Sequence, residues 1–319
     1  MSKSDALRSA APARLRPVRL GAPAVTVERR SDGAIVLRSP RPLQPHADNL
    51  TERLVHWAKA APDRIFLAQR NAAGAGWRTM SFAATLDAVH AIAASLIERR
   101  LSAERPVAIL SGNSIEHALI GLAAMHVGIP YAPISVPYSL MSQDFGKLKT
   151  ILGVLTPGLV YAASGAAFAR AIAAAVPAGI EVVTADGAAG DRASTAFAAL
   201  LKPEATDNVE AAHAAVGPDT IAKFLFTSGS TGHPKGVINT QRMLCSNQAM
   251  IADGFLFLAE EPPVIVDWLP WSHTFGGNHN FNMAIEHGGS LYIDEGRPLP
   301  GAIETTVPSP DYELIMWQA

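Results

Sequence analysis

The stretch FLFTSGSTGHPKGVINT, Phe224 to Thr240, gathers Gly, Ser and Thr around one lysine, directly after an apolar run. Between Phe224 and Gln241 the only formal charge is Lys235. Such small residues let backbone N–H groups and hydroxyls close around a small anion, and phosphate is the usual one. The flanking segments IAKFLF and GVINT both read as strands, so the loop is expected to be the turn of a hairpin. A Walker P-loop needs Gly-Lys-Ser/Thr leading into a helix. Here Lys235 lies between Pro234 and Gly236 with a strand following, and that motif fails. A flexible Gly/Ser linker is the plainer alternative, but it explains neither the flanking strands nor the terminal Pro-Lys-Gly.

Outward from this hairpin, strand and helix patterns alternate from Ala47 onward. NLTERLVHWAKA places Leu50, Leu54 and Trp57 on one helical face, and RIFLAQ follows as a strand. Ser81 is a candidate N-cap for a helix carrying Phe82, Leu86, Val89 and Leu96 along one side. RPVAILSGNSIEHALIGLAAMHVGIPYAPISV reads as strand, helix and strand, capped at Asn113 or Ser114 and ended by Gly128 and Pro130. LVYAA and IEVVTA are further strands around an Ala-rich helix at Ala167 to Ala175. The stretch from Ala188 to Gly217 is weakly patterned and is expected to be a connection between subdomains. The alternation predicts an α/β fold of layered, parallel-rich sheets with flanking helices.

Composition narrows the classes. The chain has 319 residues, 17% charged, with a net charge of −2, which disfavours a nucleic-acid partner. No apolar run reaches the length of a membrane span. Cys245 is the only cysteine, so no intramolecular disulfide or Cys-based zinc site can form, and a reducing, cytoplasmic setting is expected. Residues 1–46 form a basic N-terminal extension: nine Lys or Arg against three acids up to Arg41. A loosely ordered tail is the expectation, and a transit peptide shares that composition. Within it, AVTVERRSDGAIVLRS predicts a hairpin turning at Asp32-Gly33.

TSGSTGHPKGV, Thr227 to Val237, resembles the phosphate-binding signature of the adenylate-forming enzymes, which include acyl- and aryl-CoA synthetases. The resemblance implies activation of a carboxylate by ATP, with pyrophosphate leaving, and then thioester formation with coenzyme A. It implies phosphate contacts from Thr227, Ser228, Ser230 and Thr231, close backbone approach at Gly229, Gly232 and Gly236, and a positive charge from Lys235. Magnesium would be carried mainly by the phosphates, with no protein metal site. LPWSHTFGG resembles the family's next motif. By that likeness His273 lies beside the carboxylate and the acyl-adenylate, and Gly276, Asn278, His279 and Asn282 are candidates for the acid's pocket. His117, His126 and His287 are expected to be satisfied core or surface histidines.

LVHWAKAAPDRIFLAQR, GIPYAPISVPYS, WLPWSHTFGGNHNFNMAI and PGAIETT are similar to the first half of feruloyl-CoA synthases, which join hydroxycinnamic acids to coenzyme A. The implied arrangement is a partial N-terminal domain of the adenylate-forming fold over residues 47–306, followed by an aberrant tail at 307–319. No aromatic-Gly-x-Thr-Glu or Thr-Gly-Asp pattern and no further lysine follows Lys235, so a truncated chain with little or no turnover by itself is expected. A nucleotide-binding remnant without catalysis is the alternative, and an NTPase of unrelated chemistry a third. The particular acid and the oligomeric state are left open.

Overall fold

The computed structural model describes residues 17–71, 76–202, 207–227 and 234–294. Strands β1 (Thr26–Arg29) and β2 (Ile35–Arg38) form the N-terminal hairpin. It turns at Gly33, whose φ of 87° falls in the left-handed region that glycine enters without strain. Helix α1 (Thr51–Ala60), strands β3 (Ile65–Arg70) and β4 (Trp77–Ser81) and helix α2 (Phe82–Glu98) follow. Ser81 caps α2 as expected, its hydroxyl accepting from the Ala84 N–H. Strand β5 (Val107–Leu110), helix α3 (Ile115–His126) and strand β6 (Tyr131–Pro133) make the next unit, and Ser114 takes the cap of α3. That leaves Asn113 free for another task.

Helix α4 (Gly146–Leu155), strand β7 (Leu159–Ser164), helix α5 (Gly165–Ala175) and strand β8 (Glu181–Asp186) complete the first half. The weakly patterned stretch beyond is not a connection between subdomains. It supplies strand β9 (Thr195–Ala196), parallel to β8, a tight turn at Phe197–Leu201 and helix α6 (Asp207–Ala214). Phe197, Leu200 and Val209 anchor these elements in the core, too few apolar positions to set up a period in the sequence. The chain continues through β10 (Ile221–Thr227), β11 (Lys235–Thr240), α7 (Gln241–Gly254), β12 (Val264–Asp267), a π-helical turn (Phe275–Asn280), α8 (Phe281–Glu286) and β13 (Ser290–Ile293).

Two sheets result. One has seven strands in the order β11-β10-β6-β5-β7-β8-β9, parallel except for the β10–β11 hairpin. The other has four, β12-β13-β3-β4, with only β3–β4 antiparallel. Alternation along β5 splits the core: Val107 and Ile109 face one apolar cluster, Ala108 and Leu110 the other. The first cluster joins both sheets through α2 and α3; the second packs α4 and α5 onto the far face. Helix α3 is buried at every position except Glu116, which is why its apolar residues show no one-sided stripe. The strand order reverses at β5, with β6 on one side and β7 on the other. In open α/β sheets the crevice beyond the carboxyl end of such a strand is where ligands bind. Among the described residues no helix is long and apolar enough to cross a membrane.

Candidate active site

The β10–β11 hairpin pairs Thr227 directly with Lys235, so the phosphate-loop candidate is the connection between two in-register strand ends. Both residues are exposed. Ser228, Gly229, Ser230, Thr231 and Gly232 lie outside the described residues. Gly236 stands opposite Phe226, and a Cβ there would meet the Phe226 ring at 3.3 Å. Its smallness therefore has a packing cause inside the hairpin as well.

The second candidate segment is built on the end of β12. Asp267 is 1% exposed and accepts hydrogen bonds from Trp271 Nε1 (3.1 Å), Asn280 Nδ2 (2.9 Å) and the Leu269 N–H (3.2 Å). Burial raises its carboxyl pKa, and these donors offset only part of that rise. From the other sheet Asn113, just beyond β5, donates to the Leu269 carbonyl (2.8 Å) and accepts from the Trp271 N–H (3.0 Å). Leu269 to Trp271 is thus gripped from the strand ends of both sheets. The His273 N–H donates to Pro270 (3.0 Å), and the His273 carbonyl accepts from Gly277 (2.9 Å). The His273 side chain is exposed, with no hydrogen-bond partner among the described residues.

Gly276 and Gly277 are buried, and a Cβ on either would collide with the backbone of Leu269 to Trp271. The glycine pair lets the π-helical turn close on the segment that carries His273, a kind of turn that recurs at functional sites. Asn278 faces the hairpin: its Nδ2 donates to Asn239 on β11 (2.9 Å) and to Thr274 (3.0 Å). Its carbonyl accepts from Gln248 on α7 (2.9 Å). His279 stacks on Phe275 at 4.7 Å, whereas Asn282 is fully buried with neither amide atom partnered among the described residues. The structure therefore joins His273, Gly276 and Asn278 in one turn and ties that turn to the hairpin bearing Lys235.

Three contributors escaped the sequence reading. Asn113 was assigned only a capping role, Asp267 ended an apolar strand, and Lys223 sat unremarked inside IAKFLF. Lys223 is fully buried and donates to the Gly277 carbonyl (2.9 Å). A charge within an otherwise apolar strand was the available signal. The expectation of satisfied histidines also needs correction. His117 fits it, its Nδ1 donating to the Gly112 carbonyl (2.9 Å). Among the described residues His126 is fully buried with neither ring nitrogen partnered, and His287 Nε2 is buried without a partner as well. Stacking on His213 at 3.9 Å, rather than hydrogen bonding, is what holds the His126 ring.

The family model described as AMP-binding enzyme matches residues 54–308, four-fifths of the chain. The chain belongs to the AMP-binding enzyme family. The match takes in the hairpin and the His273 turn together. The chain is similar to the 3-[(3aS,4S,7aS)-7a-methyl-1,5-dioxo-octahydro-1H-inden-4-yl]propanoyl:CoA ligase of Mycobacterium tuberculosis, 30% identical over 64% of this chain and 40% of that protein. It is 33% identical to 4-coumarate–CoA ligase 3 of Oryza sativa subsp. japonica, over 36% of this chain and 20% of the rice protein. Its fold is like that of the fatty acyl-adenylate ligase from L. pneumophila, solved with acyl adenylate and pyrophosphate. There the TM-score is 0.58 at 21% identity, over 77% of this chain and 39% of that one. The chain thus spans less than half the length of each of these AMP-binding relatives.

Proposed function

We propose that this chain carries the nucleotide- and carboxylate-handling part of an acid–CoA ligase. In this reading a carboxylate oxygen attacks the α-phosphorus of ATP and pyrophosphate leaves. The thiolate of coenzyme A then attacks the acyl carbonyl of the adenylate, AMP leaves, and a thioester results. Charge accumulates on the departing pyrophosphate, so the protein's work is to place the reactants and offset that charge. Lys235 supplies the cation, Thr227, Ser228, Ser230 and Thr231 the hydrogen bonds, and Gly229, Gly232 and Gly236 the room. Magnesium enters as an ion carried by the triphosphate. His273 and Asn278 address the acid, with His273 beside the forming acyl-adenylate.

The observation that carries this reading is the tie between the two motifs. Asn278, next to the glycine pair of the His273 turn, is hydrogen-bonded to Asn239, four residues beyond Lys235 on the same strand. Phosphate and carboxylate groups held at the two motifs would share one rigid unit. The proposed acid is ferulate or a related hydroxycinnamate, supported by the segment likenesses and by the rice 4-coumarate–CoA ligase among the relatives. A cytoplasmic location belongs to the same proposal, and the buried Cys245 is compatible with it.

The test is ferulate-dependent exchange of labelled pyrophosphate into ATP, with the chain and its Lys235→Ala variant. The expected result is exchange that falls tenfold or more in the variant, on the order of the loss seen when one charge-stabilising donor is removed. Undiminished exchange in the variant refutes the role of Lys235. ATP binding without any exchange supports the nucleotide-binding remnant instead.

A further inference from the structure

Lys223 stands on β10 directly opposite Asn239 on β11. These cross-strand neighbours hold consecutive residues of the π-helical turn: Lys223 Nζ the carbonyl of Gly277 (2.9 Å), and Asn239 the side chain of Asn278 (2.9 Å). Four residues further along each strand, toward the loop, are Thr227 and Lys235, themselves directly paired. The hairpin therefore grips the His273 turn at one rung and frames the phosphate loop at another, about 13 Å away along the strands.

Lys223 meets a carbonyl and a ring face rather than an acid. Among the described residues no carboxylate pairs with it. Its Nζ lies 5.5 Å from the centroid of the Tyr131 ring, and His117, Tyr131, Trp271, Gly277 and Phe281 enclose the small space beside it. Burial lowers its ammonium to about 7. Amine and ammonium are then both present at neutral pH, and each retains an N–H for Gly277. An apolar side chain of similar length would fill this site without the desolvation cost. What such a side chain could not do is hold the Gly277 carbonyl. On its other side Gly277 already abuts the Trp271 backbone. Lys223 thus holds that peptide from the side of the hairpin.

We propose that Lys223 is a positioning residue: with Asn239 it forms a two-point clamp that sets the His273 turn relative to the phosphate loop. This rests on the ligase reading for its catalytic consequence, but not for its structural one. Lys223 touches no reacting atom; it acts through Gly277 and the turn that carries His273.

The experiment uses the whole chain with Lys223→Met, which keeps the length and removes the donor, and Lys223→Gln, which restores an N–H donor. His273 imidazole resonances, assigned with a His273→Gln variant, report the turn without any need for activity. The Met variant is expected to melt at or above the temperature of the unsubstituted chain and to shift or broaden the His273 signals. It should also lower ferulate-dependent exchange on the order of tenfold to a hundredfold, as misplacement of a reacting group by about 1 Å does. ATP KM stays within about twofold, since the pairing of Thr227 with Lys235 is untouched, and Gln recovers part of both the His273 signals and the rate. Unchanged His273 signals in the Met variant overturn the proposal. So does a Met variant that loses melting temperature and ATP affinity together with no recovery in Gln, because that is mere support of the fold. If the unsubstituted chain shows no exchange, the ligase reading fails alone, and the His273 signals still decide the clamp.

Discussion

Acid should destabilise this protein through two histidines of α3. His126 is fully buried and His117 is 3% exposed. Burial lowers the His126 imidazole to about 3, helped by the neighbouring His213 and His90. Burial lowers His117 to about 4, against its bond to Gly112 and with a small contribution from Lys223. A folded-state pKa below the unfolded value of about 6.5 means that the unfolded chain binds the proton first. The stability associated with the neutral rings is therefore complete above pH 6.5. It drains away as pH falls toward 4 for His117 and toward 3 for His126. Each unit of pH in that window costs about 1.4 kcal/mol per histidine, so passing from pH 7 to pH 5 removes about 2 kcal/mol for each. The two together account for about 4 kcal/mol, a large share of a typical margin of about 5–15 kcal/mol. Urea melts at pH 7, 6 and 5 measure the loss, and His126→Leu isolates one half of it. Leu also removes two unpartnered ring nitrogens, so the variant should be no less stable at pH 7 and should lose about 2 kcal/mol less by pH 5. Parallel losses in the two proteins would refute the reasoning.

Three other perturbations separate scaffold from chemistry. His273→Ala should lower ferulate-dependent pyrophosphate exchange while leaving ATP binding by calorimetry unchanged, because its exposed side chain has no hydrogen-bond partner among the described residues; equal loss of both would place it in the scaffold. Asn113→Ala removes both bonds to the Leu269–Trp271 segment and should cost about 2 kcal/mol in denaturant melts, with a change in Trp271 fluorescence. Ser81→Ala removes the cap of α2 and should cost about 1 kcal/mol with exchange activity untouched.

What was legible in the sequence is what local chemistry determines. The Ser81 cap, the Asp32-Gly33 turn and the strand after Lys235 all follow from backbone preferences of a few neighbouring residues, and each is found where expected. The α/β architecture is legible for the same reason, since alternation of strands and helices constrains the layers. Elements held by tertiary contacts alone were not legible. Strand β9 has two residues, and α6 contributes one buried valine, so neither carries a period of its own. The histidine expectation failed at His126 because ring stacking across α3 and α6 has no signature in either segment.

The candidate site shows the same division more sharply. Motif residues such as Lys235 and His273 are exposed at the ends of elements, where small or polar residues interrupt an apolar run and draw notice. Their supports lie elsewhere in the chain and look ordinary there: Asn113 as a cap, Asp267 as a strand end, Lys223 as a stray charge. Each becomes informative only when the fold brings β5, β10 and β12 around the His273 turn, since a polar group buried there needs a partner and that turn supplies the partners. Asn113 holds Leu269 and Trp271, Asp267 holds Trp271 and Asn280, and Lys223 holds Gly277. Together they attach one turn to both sheets. Exposed groups that act on a substrate can be precise only if the backbone beneath them is fixed in this way, and that fixing is written in residues up to 167 positions apart, from Asn113 to Asn280.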